Sequence, residues 1–334
     1  MGSAAARPRV LVARAIFESS LNRLREHFDV LTNPDDTPWT PEQLRTQAQG
    51  CWGLLTTGSE RVDESLLDAV PSLRAVCNMA VGHNNIDVPA AVAHGVVCTN
   101  TPDVLTETTA DFGFALMMAT ARRITESERY LRDGRWTRWS YDMMIGPDIH
   151  GATLGILGMG RIGQAIAKRG ALGFGMDVIY HNRSQLDAAT EKACGARYLS
   201  KAELLAQADH LVIVVPYSAS SHHAIGAAEL AQMKSSATLV NIARGGVVDD
   251  AALAQALAAR QIAAAGLDVF EGEPKVHPDL LKLDNVVLTP HIASASLKTR
   301  LAMADLAADN LIALHLKGVA LTPVPEGLSE WVKP

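Results

Sequence analysis

A short apolar run, Leu154 to Leu157, leads into three glycines, Gly158, Gly160 and Gly163, spaced G-x-G-x-x-G. Ile162, Ala165, Ile166 and Leu172 then recur at helical spacing, and a second apolar run extends from Met176 to Tyr180. Strand, glycine turn, helix, strand is the context in which such glycines hold a dinucleotide. Gly158 permits the tight turn. Gly160 places no side chain between a pyrophosphate and the backbone, and Gly163 lets helix and strand pack closely. The amides of Arg161 and Ile162 then point from a helix N-terminus at the phosphates. The competing reading is a glycine turn in an ordinary α/β protein; both strands and the helix in register favour the dinucleotide.

The residues just past the second strand select the cofactor. An Asp or Glu about 20 residues past the glycines usually holds the ribose 2′-hydroxyl of NAD. Here the strand runs through Tyr180 and His181 into Asn182, Arg183 and Ser184, with no carboxylate at that place. A guanidinium and a hydroxyl stand where a 2′-phosphate would arrive, and Arg binds phosphate through paired donors without losing its charge. NADP(H) is therefore the preferred cofactor and NAD(H) the second choice. The competing reading makes Arg183 a solvated loop residue.

The chain has 334 residues, enough for two domains of ordinary size. A formal charge of −6 argues against nucleic acid or an anionic membrane as partner. Cys51, Cys77, Cys98 and Cys194 are scattered without a C-x-x-C, which suits reduced thiols in a cytoplasmic protein. The N-terminal MGSAAARPRV has no long apolar stretch, so no signal peptide is expected, and no run approaches the ~18 apolar residues of a membrane span.

Strand-like and helix-like stretches alternate from the start. Residues 9–17 read as a buried strand and Ser20 to Phe28 as a helix. Val30-Leu31 comes next as strand, a helix starts at Pro41, Gly53 to Thr57 is strand, and Asp63 caps a helix ending near Val70. Leu73–Met79 and Gly95–Thr99 are further strands. This alternation implies a parallel sheet with helices on it, complete before the glycine motif begins. A long Ala-, Met- and Leu-rich helix runs from about Val104 to Arg122. Within residues 123–150, Trp136, Trp139 and Tyr141 place three of the chain's ten Trp and Tyr within six residues, which suits an interface arm of a homodimer. After the glycine motif, Leu211–Val215, Thr238–Ile242, Ala265–Val269 and Val286–Thr289 continue a second sheet, with a helix over Ala251–Ala259 behind Asp249 and Asp250. A last helix, Ser296 to Leu316, is long enough to return to the first domain. The expected fold is α/β, two Rossmann-like doubly wound parallel-sheet domains with a cleft between them. Residues 1–101 and 292–334 form the substrate domain and 102–291 the dinucleotide-binding domain.

Three segments stand at ends of those later strands. Arg244 follows one strand, with Gly245 and Gly246 leaving room beside it; Gly266 to Pro274 delivers Asp268, Glu271 and Glu273; Thr289-Pro290-His291 fixes a histidine behind a proline. Reduction of a 2-keto acid needs a cation for the carboxylate, a proton donor for the carbonyl oxygen and a hydride. Arg244 suits the first and His291 the second, with Glu273 bonded to His291 and keeping it protonated near neutrality. Each alone has a plain alternative: a solvated Arg, a core His or a loop-capping acid. For the set to carry no chemistry, all three alternatives must hold at once. His222 and His223 are adjacent, and adjacent side chains do not share a face on a strand or helix. No H-x-x-x-H or H-x-H spacing occurs, so no metal is expected.

Taken together, GMGRIG, VNIARGGVVDDAAL, AAGLDVFEGEP and LTPHIASAS resemble the D-isomer-specific 2-hydroxyacid dehydrogenase family over essentially the whole chain. Within it, VLTETTADFGFALMMATARR and the strand end at Asn182-Arg183-Ser184 are most similar to the glyoxylate/hydroxypyruvate and 2-ketogluconate reductases. The resemblance implies the catalytic set Arg244, Glu273 and His291, and a substrate-carboxylate loop at Ala80-Val81-Gly82 acting through backbone amides. It implies cofactor contacts at Thr106, Arg161, Ile162, Pro216, Asp268, His291 and Ser294, with Asp268 toward the nicotinamide carboxamide. Ala293 stands where the family often has Gly. The family also includes transcriptional corepressors that keep the fold, so the second functional reading is a dinucleotide-sensing binding protein.

Overall fold

The structure, a computed structural model, describes residues 6–327. The chain divides into two compact units, one of Met1–Leu105 with Ser296–Pro334 and the other of Thr106–Ala295.

The first unit carries five parallel strands: β1 (Arg9–Val12), β2 (Asp29–Thr32), β3 (Gly53–Thr56), β4 (Ala75–Asn78) and β5 (Val97–Thr99). Their order across the sheet is β2-β1-β3-β4-β5. Strands β3 and β4 are buried along their whole length, which is why they read as continuous apolar runs. The strand expected over 9–17 ends at Val12, because the Ala13 amide still bonds Leu55 but the chain then turns away, Arg14 pairing with Asp36. A helix over Val88–Ala93, with Asp87 as N-cap and Pro89 in its first turn, has too few turns to show a period. The Leu297–Lys317 helix, capped by Ser296, packs on β3, β4 and the Glu18–Arg25 helix. Its Ala304, Ala307, Ala308 and Leu311 complete one of this unit's two cores with Val10, Val12 and Leu55. An added Cβ at Gly53 would lie 2.9 Å from Leu311 Cδ2, so the glycine lets the helix approach.

The second unit carries seven parallel strands: β6 (Thr153–Leu157), β7 (Asp177–His181), β8 (Ala196–Tyr198), β9 (His210–Ile213), β10 (Thr238–Asn241), β11 (Ala264–Leu267) and β12 (Val286–Leu288). The order is β12-β11-β10-β9-β6-β7-β8. The chain winds outward from β6 through β7 and β8, then returns to the other side of β6 at β9. The ends of β6 and β9 are therefore the switch point, the place where an open α/β sheet holds its ligand. The Thr106–Ala121 helix packs on β9 to β12 and on the Arg161–Lys168 helix. Residues 169–173 loosen into a π-helical turn that leaves Leu172 83% exposed, so it does not continue the buried face expected of it. The 123–150 segment opens with a helix over Ile124–Arg132, which the sequence reading leaves as part of an arm. Beyond it Trp136, Trp139 and Tyr141 are 51%, 70% and 90% exposed.

One buried histidine ties the end of that segment to the sheet. His210 is fully buried; its Nε2 lies 2.9 Å from the Asp148 carbonyl and its Nδ1 2.8 Å from Thr238 Oγ1. A carbonyl only accepts, so Nε2 carries the proton and Nδ1 accepts from the hydroxyl. Burial pushes this imidazole below its ordinary value, against the Asp148 carbonyl and the charge of Asp209. The unfolded chain therefore binds the proton at higher pH than the native one. The stability involved is intact above the unfolded value of about 6.5 and is lost as pH falls through the lower native one. Thermal denaturation between pH 7 and pH 5 is expected to show a shallower acid slope in His210→Gln than in wild type, and equal slopes would remove His210 from the acid response.

Candidate active site

The glycine turn stands at the switch point. Gly158 has φ +105°, and a Cβ there would lie 2.8 Å from the carbonyl carbon of Val214 and the nitrogen of Val215, which leave β9. A Cβ on Gly163 would lie 2.3 Å from the Gly158 oxygen, so helix and turn touch. At Gly160, the N-cap of the Arg161–Lys168 helix, nothing lies within 4 Å. Two glycines are thus walls and the third faces open space at a helix N-terminus, which fits a dinucleotide pyrophosphate. The Asn182 Oδ1 accepts the Met159 amide at 2.7 Å, binding the end of β7 to this turn. Arg183 and Ser184 are exposed, and Arg183 makes no hydrogen bond or ion pair among the described residues.

The ends of β10 and β11 and the segment after β12 bring the other residues together. Asn241 at the end of β10 shapes the next turn: its Oδ1 accepts the Ala243 amide at 3.0 Å and its Nδ2 donates to the Arg244 carbonyl at 3.2 Å. Arg244 is half-buried and donates from one guanidinium nitrogen to the Ala243 carbonyl at 2.8 Å. Burial pushes the Arg244 guanidinium down from its ordinary value while the nearby Glu273 charge opposes this; arginine remains a cation. A Cβ on Gly245 would lie 1.7 Å from the Phe270 oxygen, so any side chain there would push the Arg244 turn off the Glu273 segment.

Glu273 is held at both oxygens. Oε1 accepts the Phe270 amide at 2.9 Å, and Oε2 lies 2.8 Å from His291 Nδ1. Burial works to raise this carboxyl, but the hydrogen bond and charge of His291, the Phe270 amide and the Arg244 charge hold it below the usual carboxylate value. With an ionised acceptor opposite, Nδ1 is the donor and Nε2 faces outward, without a partner among the described residues. His291 has φ +53°, a left-handed conformation that a non-glycine residue holds only when its surroundings impose it. Asp268 imposes it. This fully buried residue accepts the His291 amide at its carbonyl at 2.9 Å. Its carboxylate accepts the Thr289 hydroxyl at 2.7 Å and the amides of Ile292 and Ala293 at 2.9 and 2.8 Å. A cation, an oriented imidazole with one nitrogen outward and a carboxylate behind it can hold a carboxylated substrate and pass a proton to its oxygen.

Residues 114–293 match the model of the D-isomer-specific 2-hydroxyacid dehydrogenase NAD-binding domain. A glyoxylate reductase of Thermococcus onnurineus is 47% identical over 311 residues, 92% of this chain and 92% of the relative. The chain belongs to the D-isomer-specific 2-hydroxyacid dehydrogenases. It is an NAD(P)-dependent oxidoreductase of that family. Among solved structures, a glyoxylate reductase from Paecilomyes thermophila matches with TM-score 0.86 and 34% identity, covering 96% of this chain and 99% of the other. An NADPH-dependent glyoxylate/hydroxypyruvate reductase from Sinorhizobium meliloti, solved with NADP and malonate, matches with TM-score 0.84 and 40% identity, covering 96% and 98%.

The remaining residues singled out from the sequence are spread over both units of this dehydrogenase. Thr106 opens its long helix, Pro216 is exposed after β9, and Ser294 is half-buried past the His291 turn. In the five-stranded unit, Ala80, Val81 and Gly82 follow β4. Their carbonyls accept the Thr101 amide at 3.0 Å, Asn100 Nδ2 at 2.8 Å and Asn78 Nδ2 at 3.0 Å. The amides of Val81 and Gly82 make no hydrogen bond among the described residues. A loop with its carbonyls tied back and its amides unspent presents donors to an anion. Asn78, Asn100 and Asn241 are not found by the sequence reading. The available signal is a buried asparagine at or just past a strand end, where only a partnered amide is tolerated. His222 and His223 require a correction. Their rings stack with centroids 3.9 Å apart, because His223 has φ +50° and leaves the strand and helix geometries in which neighbours diverge.

Proposed function

We propose that this dehydrogenase reduces small 2-keto acids, glyoxylate and hydroxypyruvate first and 2-ketogluconate third, to D-2-hydroxy acids with NADPH. The observation that carries the proposal is the His291–Glu273 pair, 2.8 Å long and locked by Asp268, at the strand ends that also carry Arg244. Arg244 binds the substrate carboxylate through its planar fork. His291, with Nδ1 committed to Glu273, gives its Nε2 proton to the carbonyl oxygen. Glu273 accepts from Nδ1 and keeps the ring in one orientation. Nicotinamide supplies the hydride. In the five-stranded unit, the Val81 and Gly82 amides are a further set of carboxylate donors.

The test is a panel of glyoxylate, hydroxypyruvate and 2-ketogluconate with each cofactor, followed at the reduced nicotinamide band. Turnover of none of them would favour a dinucleotide-sensing binding protein instead. A homodimer fits the exposed Trp136, Trp139 and Tyr141, and analytical ultracentrifugation tests it through Trp139→Ser. The four buried free cysteines accord with a cytoplasmic protein, and no helix among the described residues is long and apolar enough to cross a membrane.

Cofactor choice rests on Arg183 and Ser184. A charge-assisted hydrogen bond contributes roughly 1.5–3 kcal/mol, or about tenfold to a hundredfold in preference. Wild type is expected to favour NADPH over NADH by at least that much in kcat/KM. Arg183→Ala should remove most of the preference by weakening NADPH alone. Adding Asn182→Asp keeps an acceptor for the Met159 amide while placing a carboxylate beside the ribose, so it should tip the choice to NADH. Equal use of both cofactors by wild type, or equal loss of both in Arg183→Ala, would return Arg183 to the solvated surface.

A further inference from the structure

The segments after β9 and β11 bring three metal-binding side chains to one spot that the reductase chemistry does not use. His223 Nε2 lies 3.1 Å from Glu271 Oε2, and its Nδ1 lies 3.8 Å from Asp249 Oδ2. His222, stacked on His223, directs Nδ1 to the Tyr217 hydroxyl at 3.2 Å, and this leaves its Nε2 for another partner. One donor atom each from His222, His223 and Glu271 falls within 4.8 Å of the other two. Two stacked imidazoles repel one another when both are protonated, whereas two neutral imidazoles and a carboxylate match the donor set of a borderline divalent cation. Bonds of about 2.0–2.2 Å in a tetrahedral arrangement bring donors to roughly 3.4 Å from one another. Closing from the present spacing is a matter of side-chain rotation, since His222 and Glu271 are both exposed.

We propose that His222, His223 and Glu271 form a binding site for a divalent transition-metal ion, zinc foremost, with a water in the fourth position. The site is continuous with the catalytic framework through the backbone. The His223 amide donates to the Gly246 carbonyl at 2.7 Å, two residues past Arg244. The Glu271 amide donates to Asp250 Oδ2 at 3.0 Å, two residues before Glu273. A bound ion joins the segment after β9 to both of these turns, a junction that the sequence spacing of its ligands does not advertise.

The experiment titrates zinc into the full chain, first stripped with a chelator, in competition with a chromophoric chelator. Wild type is expected to take one ion per chain at this site. His222→Ala and Glu271→Gln should each weaken it by about tenfold or more, and the double variant should abolish it. His94→Ala removes an imidazole that is bonded to Asp68 on the surface of the other unit, and should leave the affinity unchanged. Both ligand substitutions are at exposed side chains, and circular dichroism checks that each variant is folded. Wild type binding no more zinc than the folded double variant, or His94→Ala losing as much affinity as His222→Ala, would overturn the proposal.

Discussion

Replacing His291 by Gln is expected to lower keto-acid turnover by about a hundredfold or more while leaving NADPH binding nearly unchanged. The magnitude is that of a lost general acid. Gln can still take the place opposite Glu273 as a donor, but it has no proton to give. Glu273, held below its ordinary value, stays an anion near neutrality and keeps Nδ1 of the ring as its donor, so the proton that is passed on is the one at Nε2. Single-turnover kinetics and NADPH titration by fluorescence separate the steps. If NADPH affinity collapsed along with turnover, His291 would belong to cofactor binding and not to proton transfer.

Arg244→Lys should lose about tenfold to a hundredfold in kcat/KM for keto acids, the worth of one charge-assisted hydrogen bond of roughly 1.5–3 kcal/mol. Lysine keeps the charge and loses the fork, and it also loses the bond to the Ala243 carbonyl that steadies the side chain in this turn. NADPH binding should change little, because the glycine turn and Arg183 stand at other strand ends. Near-normal kinetics in the lysine variant would take Arg244 out of the site. Because Asn241 and Gly245 fix the turn itself, the loss should be confined to the side chain and the melting temperature should hold.

Much of this was legible in the sequence for an identifiable reason. Strands of a parallel sheet are buried on both faces, so β6, β9 and β10 stand out as apolar runs ending in Gly158, Pro216 and Arg244. The glycine turn is legible because backbone contact demands the absence of a side chain, and that demand is written in residue identity. Arg244, Glu273 and His291 are legible because each is a chemically capable residue just past a strand. Other features depend on conformation that residue identity does not encode. The Ile124–Arg132 helix starts at Arg123 with φ +52° and buries no residue, so it has no capping side chain to announce its start and no core contact to fix it. Asp268 reads as a cofactor contact when taken with its motif; its full burial and its bonds to residues 289, 292 and 293 become visible only when the loop folds back on it. The stacking of His222 on His223 depends on one left-handed residue in the same way.

The Leu297–Lys317 helix has a consequence for the order in which the protein can be made. Its alanines and Leu311 occupy a core shared with β1 and β3, segments synthesised long before it. The five-stranded unit therefore waits, with Val10, Val12 and Leu55 uncovered on one face, until Leu311 has been translated. The seven-stranded unit has every strand and helix in hand once Ala295 has emerged. Domains generally fold in the order of their synthesis; here the unit begun first is finished last, and the dinucleotide-binding half can be native while its companion is still a nascent chain.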